Sequence, residues 1–135
     1  MRETPLIAAA LHGCNEVMDV LLEHGASTSE FDVFGNTALI YAARLNYLYC
    51  VRRLIDHGSS INWPNSEWNT AIVEAAYNGH TKIVQFLIEH GADIHFISNL
   101  SNMSALTCAC LKVTAHLLFL LSLLFFFKSK VWKKN

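Results

Sequence analysis

Leu21-Leu22-Glu23-His24-Gly25-Ala26 returns as Leu54-Ile55-Asp56-His57-Gly58-Ser59 and again as Leu87-Ile88-Glu89-His90-Gly91-Ala92, each copy displaced by the same interval from the one before. A second phrase keeps the same period. Thr4-Pro5-Leu6-Ile7-Ala8-Ala9-Ala10 becomes Thr37-Ala38-Leu39-Ile40-Tyr41-Ala42-Ala43 and then Thr70-Ala71-Ile72-Val73-Glu74-Ala75-Ala76. A fixed period of this length marks a repeat architecture, in which each unit buries its apolar face only by stacking on its neighbours.

The recurring residues have physical roles. Thr4, Thr37 and Thr70 stand where an N-cap hydroxyl can accept a bond from an orphan amide of the first helical turn. Pro5 follows at the first helical position, where a missing N–H costs nothing. The pairs Ala9-Ala10, Ala42-Ala43 and Ala75-Ala76 are small enough for a neighbouring helix to approach closely. Gly13 and Gly79 end the first helix and permit a tight turn. A second helix then carries Ile83, Phe86 and Leu87 at i, i+3 and i+4, flanked by Val84 and Ile88. Gly91 sits where a left-handed helix end is needed, and His90 stands beside the negative end of the helix dipole.

This pattern resembles the ankyrin repeat, a family with the same period and a motif that reads Thr-Pro-Leu-His-x-Ala. The third copy is nearest to it, with Ala75-Ala76, Asn78-Gly79-His80, Ile83-Val84 and Leu87 through Ile94. The resemblance covers residues 2 to about 112. The copies depart from the motif in places. Ile7, Ile40 and Val73 replace the motif His, trading hydrogen bonds for apolar packing. Asn46-Tyr47 stands where the turn of the family reads Gly-His, and Asn is the next residue able to turn left-handed. Trp68 takes the slot that Gly35 fills at the other hairpin tip, which implies an altered hairpin or an exposed aromatic.

The resemblance implies an all-α, ankyrin-type helix-turn-helix solenoid with short hairpin connections, plus an apolar C-terminal helix. The expected repeats run about 2–34, 35–67 and 68–101, with a fourth beginning at 102–112 behind Ser104 as cap. It also implies a protein-binding surface of hairpin tips and first-helix ends. The tips supply Val33, Phe34, Asn36, Ser66, Glu67, Trp68 and Asn69, and the helix ends supply Arg44, Leu45, Tyr77 and Asn78. Trp63, Pro64, Phe96 and Ile97 lie at the starts of the hairpins between repeats, where Trp63 and Phe96 either meet a partner or pack on the next repeat. Phe34, Arg44, Trp63, Trp68 and Tyr77 are the expected anchors, because aromatics and Arg dominate interface energetics. The expected partner is another protein.

Composition narrows the alternatives. With 135 residues there is room for one domain, and 53% hydrophobic against 16% charged residues excludes a disordered chain. The net charge of −1 lacks the strongly basic face of a nucleic-acid binder. It also conceals a split: residues 1–112 carry six Lys/Arg and eleven Asp/Glu, whereas 113–135 carry four lysines and no acid. Nucleotide-binding glycine loops, hydrolase elbows and zinc-protease motifs are all missing, so the sequence predicts no catalysis, no cofactor and no small-molecule substrate. His24, His57 and His90 recur one repeat apart, too far from one another to share a metal, and Cys108, Cys110 and His116 have the wrong spacing for one. The cysteines Cys14, Cys50, Cys108 and Cys110 follow no secretory signal and read as free thiols in the cytoplasm. On the same ground the sequons at Asn99 and Asn102 read as chance matches.

The chain leaves the pattern at Lys112/Val113 and runs from Leu117 to Phe127 almost without a polar residue, then Lys128-Ser129-Lys130-Val131-Trp132-Lys133-Lys134. Three readings stand. Residues 113–127 could anchor in a membrane, although 15 residues make a helix of about 22 Å against a hydrocarbon core of roughly 30 Å. They could cap the stack, or they could belong to an alternative or truncated product of a longer array.

Overall fold

The computed structural model describes residues 3–96 and, beyond them, Ser104, Thr107, Ser122 and Phe126. Among these residues there are six α-helices: α1 Pro5–His12, α2 Asn15–Glu23, α3 Ala38–Arg44, α4 Leu48–Asp56, α5 Ala71–Tyr77 and α6 Thr81–Glu89. They form three helix pairs in two layers. Helix α3 lies between α1 and α5, and α4 lies between α2 and α6. The all-helical repeat fold is the one expected from the period of the sequence. The expected apolar C-terminal helix, the fourth repeat over 102–112, Ile97 and the 113–127 anchor lie outside the described residues, apart from the four named. Within the described residues no helix is long and apolar enough to cross a membrane.

The caps follow the sequence with one exception. Thr4 Oγ1 accepts from Ile7 N–H at 3.3 Å and Thr37 Oγ1 from Ile40 N–H at 3.4 Å. Ser104 Oγ accepts from Thr107 N–H at 3.3 Å in the same i to i+3 pattern. Thr70 has the extended cap backbone, yet its buried hydroxyl makes no hydrogen bond, and nothing in the structure explains the difference. At the other end, His24, His57 and His90 each place Nδ1 2.7–2.8 Å from the carbonyl four residues earlier, on Val20, Arg53 and Phe86. Each of these carbonyls also accepts from the histidine's own backbone N–H at 3.2 Å, so the rings add a second bond to carbonyls of the last helical turn.

All six residues of the alanine pairs are buried, none above 3% exposed. Between the first helices and the second helices lie Leu6, Ile7, Leu39, Ile40, Ile72 and Val73 on one side and Met18, Leu22, Val51, Leu54, Val84 and Leu87 on the other. Asn46 adopts φ 67°, so it replaces the turn glycine as expected. Trp68 adopts φ 62° where Gly35 has 75°, so the second hairpin keeps the shape of the first despite its bulky residue. Gly35 has a further constraint: a Cβ there would sit 2.9 Å from the Ser66 backbone nitrogen of the next hairpin.

The caps make a graded expectation for thermal or urea unfolding. Thr4→Ala and Thr37→Ala each lower stability by about 1 kcal/mol. Thr70→Val, which removes a buried hydroxyl without a partner and keeps its shape, is neutral or raises stability by up to about 1 kcal/mol. A loss at position 70 as large as at 4 and 37 would overturn this assignment.

Candidate functional site

Asp32 and Asn65 occupy equivalent positions in successive repeats and close their hairpins identically. Asp32 Oδ1 accepts from the N–H groups of Phe34 and Asn36, each at 2.9 Å. Asn65 Oδ1 accepts from those of Glu67 at 3.0 Å and Asn69 at 2.9 Å. Both hairpins thus bend around a side chain that satisfies two loop amides, the usual turn chemistry of Asx residues. The hairpins are also tied to each other. Ser66 N–H donates to the Phe34 carbonyl at 2.9 Å, and Asn65 Nδ2 donates to Asn36 Oδ1 at 2.8 Å.

The first helices complete the network. Arg44 at the end of α3 donates from Nε to Glu74 Oε2 at 3.0 Å and from Nη2 to Glu74 Oε1 at 2.9 Å, a two-pronged pair between repeats. Arg44 Nη2 also reaches Asn36 Oδ1 at 3.3 Å, and its guanidinium lies 5.3 Å from the Tyr41 ring centre. Asn69 Nδ2 donates to Glu74 Oε1 at 3.0 Å. Tyr41 Oη donates to Asp32 Oδ2 at 2.5 Å and accepts from Asn36 Nδ2 at 3.3 Å. The Arg44 backbone is held from the other side, where His80 Nε2 lies 2.8 Å from its carbonyl oxygen. Every polar group of this floor is therefore positioned by a residue of a neighbouring element.

The charges follow from these bonds. Burial disfavours ionised Asp32, but the bonds from Tyr41, Asn36 and Phe34 outweigh it and hold its carboxyl below the usual carboxylate range. Burial and the adjacent Asp32 together push the Tyr41 phenol up. The bond to Glu74 holds Arg44 in its charged form against the cost of burial.

Around this floor is an open groove of about 730 Å³. Of the residues expected to contact a partner, Phe34, Asn36, Arg44, Ser66, Glu67, Asn69 and Tyr77 line it, together with Tyr41, Asn65, Val73 and Glu74. Val33, Leu45, Trp63, Pro64, Trp68, Asn78 and Phe96 do not. Phe34 and Tyr77 are exposed on its walls, at 65% and 44%. Asn36, expected as a contact, is instead buried at 4% with its amide engaged by Tyr41, Arg44 and Asn65, so it holds the floor in place. Asn78 Nδ2 turns back to the Glu74 carbonyl. Trp63 stacks on Phe31 at 5.9 Å between ring centres and Trp68 on Phe96 at 6.2 Å, so each packs against an adjacent hairpin while keeping an exposed edge.

Asp32, Tyr41, Asn65 and Glu74 were not singled out from the sequence. The equivalence of Asp32 with Asn65 under the repeat, both at the hairpin bend, was the available signal. Glu74 and Tyr41 share a position that holds Ala8 in the first copy, so the repeat pattern is silent there. Among the described residues no group of three or more His, Cys, Asp or Glu is placed to hold a metal ion.

Removing Glu74 strands a half-buried guanidinium. Glu74→Ala is expected to cost about 2 kcal/mol in urea unfolding, below the roughly 3–5 kcal/mol of a fully buried pair because part of Arg44 stays wet. Arg44→Met combined with Glu74→Met should recover much of that loss. A second expectation concerns acid. Asp32 has a lowered folded pKa, so its contribution is present above the unfolded value near 4 and is lost as pH falls through the folded one. Tyr41→Phe removes the main bond sustaining that shift and should move acid unfolding to higher pH. An unchanged acid midpoint would show that the bond contributes nothing.

A family model described as ankyrin repeats (3 copies) matches residues 1–65, and a model described as ankyrin repeats (many copies) matches residues 54–101. No curated protein matches the chain.

Proposed function

From the premise that this chain belongs to the ankyrin repeat family over residues 1–101, we propose that it is a non-catalytic binding module that holds a segment of another protein in the groove between its second and third repeats. Ankyrin repeats are generally protein–protein interaction modules, and the family is typically non-catalytic. The observation that carries the finer reading is the groove itself. It combines a floor fixed by the Arg44–Glu74 pair with exposed aromatic walls at Phe34 and Tyr77. A preorganised polar floor orients a partner's backbone or polar side chains, and the aromatic walls bury area at low entropy cost. Trp63 and Trp68 extend the same surface along the hairpins, where their stacking partners hold the rings in place.

The proposal includes a cytoplasmic setting, supported by thiols that are free at Cys14 and Cys50. Burial pushes the Cys50 thiol up, which keeps it unreactive. Tethering through 113–127 rests on the sequence of that run alone and is the second reading.

Quantitative capture of partners from the source cells tests the groove. Phe34→Ala combined with Tyr77→Ala should lower recovery at least tenfold, while Lys82→Ala, at an exposed position on α6, leaves it unchanged. Equal recovery by all three proteins would remove the groove from the binding surface.

A further inference from the structure

Every Lys and Arg of residues 3–96 stands on a helix: Arg44 on α3, Arg52 and Arg53 on α4, and Lys82 on α6. The connecting hairpins hold none. Residues 25–37, 58–70 and 91–96 carry Glu30, Asp32, Glu67 and Asp93 and no Lys or Arg. The same hairpins present Phe31, Phe34, Trp63 and Trp68, which are 44–65% exposed. Their surface therefore joins aromatic rings to a single sign of charge.

The groove has the same sign. Among the described residues that line it, Arg44 is the one cation, and Glu74 neutralises it through a two-pronged bond. The charges of Glu67 and Asp32 remain. Glu67 lines the groove and adds to the field that holds Arg44 charged. Asp32 accepts from Tyr41 Oη and from the N–H groups of Phe34 and Asn36. All three are neutral donors, which satisfy its lone pairs without cancelling its charge. The other cations belong to the second-helix layer, where Arg53 bonds to Asp19 and Arg52 lies against the Phe86 ring. A cleft of one charge sign with low-dielectric walls concentrates ligands of the opposite sign and repels those of its own.

We infer that the segment held in this groove is a basic one, with Lys or Arg set among apolar residues. Its apolar groups lie against Phe34 and Tyr77, and its cations lie beside Glu67 and in the field of Asp32. The inference rests on the groove being the binding site and adds the chemistry of the occupant. Lys and Arg suit the aromatic walls as well, because ring faces attract cations. The chain itself makes this contact twice, with Arg44 5.3 Å from the Tyr41 ring centre and Arg52 4.9 Å from that of Phe86. An acidic or phosphorylated segment would bring like charge to a groove whose one cation is committed to Glu74.

Selection of a random-peptide phage library on the full chain tests this. Clones that bind the wild-type protein but not Phe34→Ala combined with Tyr77→Ala report on the groove alone. Their Lys and Arg content is expected to be at least about twice that of the unselected library, and their Asp and Glu content below about half. A synthetic copy of the leading peptide should bind about threefold more weakly to Glu67→Gln and about tenfold more weakly to Glu67→Lys, with both losses shrinking at about 0.5 M salt. Glu67 is exposed, so both variants should keep the wild-type helical circular dichroism spectrum. Groove-dependent clones that lack the basic bias overturn the inference and leave the groove as the binding site. So do equal affinities, or equal losses, for the two Glu67 variants, since these would mean that shape and not charge is read there. An absence of groove-dependent clones removes the groove itself, and the inference with it.

Discussion

The close approach of the three first helices is the constraint on which the rest of the molecule depends. Ala9-Ala10, Ala42-Ala43 and Ala75-Ala76 stand where α3 passes between α1 and α5, and each is buried to 3% exposure or less. Side chains with a single carbon let the helix backbones close up, and cores packed this tightly tolerate little added volume. The helix spacing sets the hairpin spacing in turn. Ser66 reaches the Phe34 carbonyl, Asn65 reaches Asn36, and Arg44 reaches Glu74, all across repeat boundaries. A larger residue at Ala42-Ala43 or Ala75-Ala76 would separate these partners as well as strain the core.

On that spacing, the repeat sorts positions into those that hold the stack and those that face the groove. The alanine pairs that let the first helices stack are identical in the three copies. The groove positions vary in chemistry: Ala8, Tyr41 and Glu74 share one place, and Leu11, Arg44 and Tyr77 share another. The ion pair joins these two places diagonally, from Arg44 of the second copy to Glu74 of the third. The first copy, with Ala8 and Leu11, has neither charge to offer, and the groove accordingly lies between the second and third repeats.

Much of the scaffold was legible in the chain. The helix pairs, the Thr4 and Thr37 caps, the left-handed turn at Asn46 and the helix-end role of the three recurring histidines all depend on local backbone chemistry, which a repeated phrase displays three times. Less of the groove was legible. Asn36 looked like a surface residue because Asn usually is one, and its burial arises from Asn65, 29 residues away. Trp68 was ambiguous because a left-handed tryptophan is costly on its own. Its stack on Phe96 and the matching hairpin of Gly35 resolve that ambiguity.

By itself the sequence determined the period, the helix-turn-helix unit and the capping chemistry, since these rest on residues within a few positions of one another. The tertiary structure alone decided which polar residues meet. Arg44 and Glu74 lie 30 residues apart, so their pairing depends on how far the stacked helices stand from one another, while Tyr41 meets Asp32 nine residues earlier because the hairpin folds back on α3. It also decided that Val17 and Val20 are exposed while their counterparts in the next repeats are buried or paired, because burial at a stacking face depends on the neighbour and not on the residue.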